Sequence, residues 1–439
     1  MKKKIIFTLS SVVLMLNNNL GAAQEAPQSV KDREHSVRDI IDKVSKPIET
    51  DVSTADKIGH VFKDGTVSGQ VRLLYSGYNN SGALDQYATA VGGMLKYKLA
   101  EYNGFNAAIE AITAQDINFA TGEDAKQNSE LSSSQGNYTE LSQAYLNYKN
   151  GALNLRAGRQ VVDTPLANSD DIRMIPNTFE AYIATYTNEE ITLKGGLLSK
   201  WQGVDTGLDP DHHWSETGDD GTYFGGISYS TKFLDTRLWY YDISEDTNAN
   251  SATGNVANSS VYSDISLHLS ISADYALHAN VQYINQNESD NSGIESSIYG
   301  AMAEFVMFED FAITAAYNKS EKQTGKGSFS GFGGGTLYTN MDSMIIDAIT
   351  LDRDAKAIVA GITYRIGDFG FLYAYGDFDG DADSLGVKEH IVEQNLGFEY
   401  TPNENLTIAA IYVKNDDKEN TQSNGGDWEN IRALISYSF

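Results

Sequence analysis

The chain has 439 residues, with 39 Gly, 26 Tyr, only 6 Pro and no Cys, which excludes disulfides, Cys-ligated zinc, iron–sulfur clusters and a thiol nucleophile. Its 60 Asp+Glu against 32 Lys+Arg leave a formal net charge of −28, a sign that excludes a nucleic-acid surface. Membrane-spanning helices need roughly 20 consecutive apolar residues each, so a bundle of them is excluded while a transmembrane β-barrel is not.

Met1 to Lys4 form a basic stretch, Ile5 to Leu16 an apolar run, and Gly21-Ala22-Ala23 a small-residue cleavage site before Gln24. These are the parts of a secretory signal peptide over residues 1–23. Residues 24–62 read as a polar periplasmic leader. Within it Val37, Ile40, Ile41 and Val44 fall on one helical stripe that Pro47 ends.

From Thr66 the period changes to two. Val67, Gly69, Val71, Leu73 and Tyr75 alternate with Ser68, Gln70, Arg72 and Ser76. The pattern recurs to the last residue, broken by short connections at Asn103-Gly104, Asn150-Gly151, Asn188-Glu189, Leu234-Asp235, Ala273-Asp274, Glu309-Asp310, Gly367-Asp368 and Pro402-Asn403. Between them lie longer polar segments at 79–85, 117–138, 162–177, 201–221, 245–260, 287–293, 323–352, 380–389 and 416–427. Eight short turns alternating with nine long loops predict an all-β transmembrane antiparallel barrel of about eighteen strands over residues 63–439. Hydrocarbon offers no partner to bare strand edges, so such a sheet must close, and only one end can carry long loops freely.

Aromatic residues near strand ends, among them Tyr145, Tyr148, Tyr182, Tyr186, Tyr241, Tyr364 and Tyr400, predict interfacial girdles. The last strand places Ile431, Ala433, Ile435, Tyr437 and Phe439 on one face. Ending on Phe439, it resembles the C-terminal signature by which bacterial outer-membrane barrels are read by their assembly machinery.

The segment Leu155 to Gln160, the Asp163-Thr164-Pro165-Leu166 that follows it and the run Asp171 to Ala181 resemble the OprD-like outer-membrane porins of Gram-negative bacteria. The opening Phe62 to Arg72 and the Gly-rich Phe332 to Thr339 are similar to that family too. The resemblance implies an eighteen-stranded barrel whose third and seventh long loops fold inward as constriction loops, with a ladder of basic side chains on one wall. Parity agrees, because Arg72, Arg156, Arg365 and Arg432 alternate with apolar neighbours and so face a wet bore. Arg159, at a bulge or strand end, and Asp170, Asp171 and Arg173 in the third loop complete the expected pore-lining and constriction set. Guanidinium groups stay charged at any working pH and can pass a carboxylate from one bidentate contact to the next.

The expected activity is therefore passive diffusion of small solutes, including small carboxylates or other anions, through a water-filled channel without a cofactor. The alternative is a surface adhesin or structural envelope barrel without transport. An enzyme is not expected: His35, His60, His212, His213, His268, His278 and His390 all lie outside Gly-x-Ser-x-Gly and His-Glu-x-x-His contexts. Asp209, Asp211, His212 and His213 share one loop as candidate transition-metal ligands. Asp379, Asp381 and Asp383 have the alternation of a calcium loop, although Ser384 replaces its glycine. Expected partners are outer-membrane lipid and lipopolysaccharide, small solutes and the barrel assembly machinery, with monomer and trimer both open.

Overall fold

A computed structural model describes residues 52–117, 130–208, 213–249, 251–308, 310–419 and 426–439. The predicted signal peptide and the Val37–Val44 stripe lie outside the described residues, as do Asp209, Asp211 and His212.

In chain order the strands are β1 (Thr66–Asn80), β2 (Gln86–Lys98), β3 (Phe105–Asp116), β4 (Asn137–Asn150), β5 (Leu153–Gln160), β6 (Thr178–Asn188) and β7 (Ile191–Gln202). A two-residue ladder, β8 (Ser215–Glu216), is followed by β9 (Thr222–Ser230), β10 (Leu234–Ile243), β11 (Asn258–Ser270), β12 (Tyr275–Glu288), β13 (Ser296–Met307) and β14 (Phe311–Ser320). The rest are β15 (Ala355–Ile366), β16 (Phe369–Gly380), β17 (Glu389–Tyr400), β18 (Leu406–Asp417) and β19 (Trp428–Ser438). Leaving aside β8, which only borders β7, eighteen antiparallel strands pair with their chain neighbours and β1 pairs with β19, so the sheet closes.

The alternation seen in the sequence sets which face is which. On β1, Val67 and Val71 are exposed on the outside, while Ser68, Gln70, Arg72 and Ser76 are buried on the inside. On β19, Ile431, Ala433, Ile435, Tyr437 and Phe439 all face out. Exposed apolar residues and buried polar ones are the inverse of a water-soluble sheet, as lipid outside and a packed polar bore demand. Phe439 and Gly69 exchange two backbone hydrogen bonds of 2.9 Å, which locks the terminal residue into the seam.

Rings cluster at the short-turn end: Phe105 with Tyr148, Tyr275 with Phe305 and Phe308, Phe311 with Tyr364, and Phe369 with Tyr400. Two of the expected girdle residues do not join them. Tyr145 and Tyr241 are buried in the bore, because the parity of β4 and β10 turns them inward.

Six of the eight short connections lie where the sequence places them, and Glu309 of a seventh lies outside the described residues. The exception is Leu234-Asp235, which opens β10; the turn is 231–233, where the Thr231 hydroxyl accepts from the Leu234 amide at 3.1 Å and ends β9 early. Residues 53–61 lie beside the β2–β3 connection, with backbone bonds from Ala55 and Ala100 to Glu101 and Val61.

Candidate functional site in the bore

Long connections are named L1 to L9 in chain order; those used below are L2 (117–136), L3 (161–177), L4 (203–221), L5 (244–257), L7 (321–354) and L8 (381–388). L3 and L7 enter the barrel and cross there. The Phe332 amide donates to the Leu166 carbonyl and the Asn168 amide to the Phe332 carbonyl, each at 2.9 Å.

Both loops stand on a floor of inward-facing rings. Phe224, Trp239 and Tyr241 stack in a row about β9 and β10, and Trp201 meets Phe332 edge-on at 5.5 Å. Val162, Leu166, Phe332, Leu337 and Tyr338 cover this floor, so burial of apolar area holds the loops against the wall. Gly226 makes the floor flat: a Cβ there would run into the Trp239 ring. L7 is further pinned where Asn318 accepts from the Thr339 amide at 3.0 Å and Glu393 from the Ser343 and Met344 amides at 3.1 and 2.9 Å.

At the β1–β19 side the loops meet charge. Arg72 donates to Asp171 at 2.7 Å and to the Arg173 carbonyl at 2.8 Å. Arg173 in turn donates to Glu130 of L2 at 2.6 Å, and Ser76 bonds the other Glu130 oxygen at 2.7 Å. Arg432 pairs with Asp342 of L7 and approaches Glu130 at 3.7 Å. Three guanidinium groups and three carboxylates from β1, β19, L2, L3 and L7 thus form one buried network.

Asp170 lies beside this network, not in it. Burial raises its carboxyl well above the ordinary range, and Asp205 of L4 raises it further. Burial also raises Asp205, against the 2.6 Å hydrogen bond from Asn177. Glu130 moves the other way: burial would raise it, but Arg173, Arg432 and Ser76 together hold it below its ordinary value.

The structure brings Arg72, Asp171, Arg173 and Arg432 together and leaves the other expected residues apart. Arg156 lies 4.3 Å over the Tyr145 ring and donates to Asn147 at 3.0 Å; among the described residues it has no ion pair. Arg365, on β15, has Glu399 and Asp310 as its acidic neighbours. Arg159 corrects the ladder. It takes the parity of the exposed Leu155 and Ala157, opposite to Arg156, and it engages Glu140 at 3.2 Å and the Trp214 ring at 4.3 Å. Arg156 and Arg159 are therefore not rungs of one ladder.

Two of the three aspartates of the calcium-loop pattern are placed by cations. Asp379 pairs with Lys356 at 2.8 Å, Asp383 with Arg353 at 3.3 Å, and the three aspartates do not converge on one point.

Parity within β2 and β7 could have found two further cations. Lys96 donates to Gln143 at 3.2 Å beside Tyr145, and Lys194 donates to the Asp163 carbonyl at 3.4 Å. With Arg156 they lie two or three residues from the short-turn ends of β2, β5 and β7. Arg237 is a third: its Nε donates to both Asp264 oxygens at 3.0 Å, and the Tyr262 hydroxyl donates to the same carboxylate at 2.9 Å. Nearby, His268 and His278 meet Nδ1 to Nδ1 at 2.7 Å, with Asp235 on the far nitrogen of His268 at 2.8 Å.

No family model matches the sequence, and no curated protein is similar to it. Solved structures are. Pseudomonas aeruginosa OpdK with vanillate superposes at TM-score 0.71 and 16% identity, over 86% of this chain and 99% of that one. Acinetobacter baumannii OccAB3 gives 0.73 and 14%, again over 86% and 99%. P. aeruginosa OccK9 (OpdG) gives 0.70 and 15% with the same coverage. These neighbours are OprD/Occ outer-membrane porins, and at such identities what is shared is the fold.

Proposed function

We propose, from the fold shared with OprD/Occ porins, that this chain is an outer-membrane channel through which small solutes, small carboxylates among them, diffuse passively. The observation that carries the reading is a closed barrel whose polar bore is narrowed by L3 and L7 at the Arg72–Arg173–Arg432 network. A barrel that only anchored or adhered would need no charged constriction fixed from both sides of its seam.

The proposed path begins at the long loops and passes the network, where Asp171, Glu130 and Asp342 offset the guanidinium charges and restrain anion preference. It continues along Lys96, Arg156 and Lys194 toward the short-turn end. A solute carboxylate is drawn to those cations, exchanges partners among them and leaves down its gradient. Arg72, Arg173 and Arg432 set the width, with Arg365 lower on another wall. No reaction or cofactor enters. The reading includes export by a cleaved signal peptide, residence in the outer membrane of a Gram-negative bacterium and insertion through Phe439.

Liposome swelling tests this. Vesicles holding the purified barrel should swell in small monocarboxylates and small neutral solutes and not in large oligosaccharides. Swelling no faster than that of empty vesicles would remove the transport reading.

A further inference from the structure

Outside the bore, three carboxylates converge where L4 and L5 cross. Glu216, Asp219 and Asp246 each bring an oxygen within 4.8 Å of the other two. The crossing is built: the Asp219 amide donates to the Glu245 carbonyl at 2.7 Å, the Asp220 amide to the Ser244 hydroxyl at 3.0 Å, and the Thr247 hydroxyl to Asp219 at 2.7 Å.

An acidic cluster alone would be a solvated surface. Asp246 makes it more, because its side chain is only 8% exposed and its Oδ2 has no hydrogen-bond partner among the described residues, although Oδ1 accepts from the Asn248 amide at 2.9 Å. A buried carboxylate oxygen without a donor from the protein is costly, and two more carboxylates beside it add repulsion. Lys200 stands 4.0 Å from Glu216.

The geometry points to a calcium site that clasps L4 to L5. Oxygens bound to one Ca²⁺ at about 2.4 Å lie at most about 4.8 Å apart, and these three lie within that distance of one another. Mg²⁺ keeps several of its waters and takes one or two carboxylates, whereas Ca²⁺ accepts three or more protein oxygens. The ligands are hard oxygens without imidazole or thiolate, which suits Ca²⁺ rather than a transition ion. Exposed Asp219 leaves one side open for water to complete the shell. Bound there, the ion offsets two of the cluster's three negative charges and fixes the mouth of the barrel.

The test is calorimetric titration of Ca²⁺ into chelator-treated, detergent-purified full-length barrel. One saturable site with Kd of about 0.1–1 mM is expected, and Mg²⁺ should compete weakly. Asp246→Asn should weaken Ca²⁺ binding tenfold or more, and Asp219→Asn, at an exposed position and keeping an oxygen for the Thr247 amide, should do the same. Asp381→Asn in L8 should leave it unchanged. Absence of a saturable site, unaltered binding in Asp219→Asn, or loss only in Asp381→Asn would each overturn the assignment.

Discussion

Arg173 joins L3 to L2 through Glu130, and Glu130 and the neighbouring Asp170 respond to pH in opposite directions. Glu130 is held below its ordinary 4.5, so its contribution is complete above that pH and is lost as pH falls through the lowered value. Asp170 has the opposite sign. Its carboxyl is raised by burial and by Asp205, so docking of L3 on L4 is favoured at low pH and weakens as pH climbs above 3.8 through the raised value. Asp170→Asn should therefore flatten the pH dependence of channel flicker in the range above 3.8, which single-channel noise analysis reads; unchanged pH dependence would place the titrating group elsewhere. Arg173→Gln should loosen L3 and raise open-state current noise, because it removes the nearest cation of a carboxylate that then keeps Ser76 and the more distant Arg432. Arg156 has no carboxylate partner among the described residues, so Arg156→Gln should shift the reversal potential away from anions, and Arg159→Gln should shift it less. Parity alone told Arg72, Arg156 and Arg432 from their apolar neighbours. It could not show that Arg72 meets Asp171, 99 residues away in sequence, because loop–wall pairing leaves no local period.

Among the elements, L3 and L7 stand or fall together. Phe332 lies between Phe329 and Trp201, and its backbone is the strut that L3 leans on. Phe332→Ala removes a large ring from a packed floor at a cost of about 3–5 kcal/mol, so the loops should detach and conductance should rise while the barrel persists. Gly226→Val should act alike by displacing Trp239; trypsin access to L3 and L7 in the folded barrel is the measurement that checks both. The strands were legible because membrane insertion sorts side chains by parity and connections by length, as β1 and β19 show residue by residue. The floor was not. Tyr145, Trp201, Trp239 and Tyr241 are aromatic at strand ends or inside loops by sequence, and such residues serve a girdle or a bore depending on parity, which the register shifts at Glu110/Ala111 and Glu180/Ala181 reset for Tyr145 and Trp201.

At the scale of the whole molecule the acidic total of −28 and a basic constriction wall are compatible, since the three arginines of the constriction, Arg72, Arg173 and Arg432, are locally matched by Asp171, Glu130 and Asp342. Closure rests on one seam, β1 against β19, from Gln70↔Ser438 to Asn80↔Trp428. The seam gives the barrel no free edge, and a bore filled by two anchored loops gives it a narrow rather than a wide path. Conductance of the purified chain in planar bilayers tests that account most directly. It should show discrete, long-lived openings of small conductance that grow in Phe332→Ala; a silent bilayer with correctly folded barrel inserted, or a wide-pore conductance indifferent to that substitution, would contradict it.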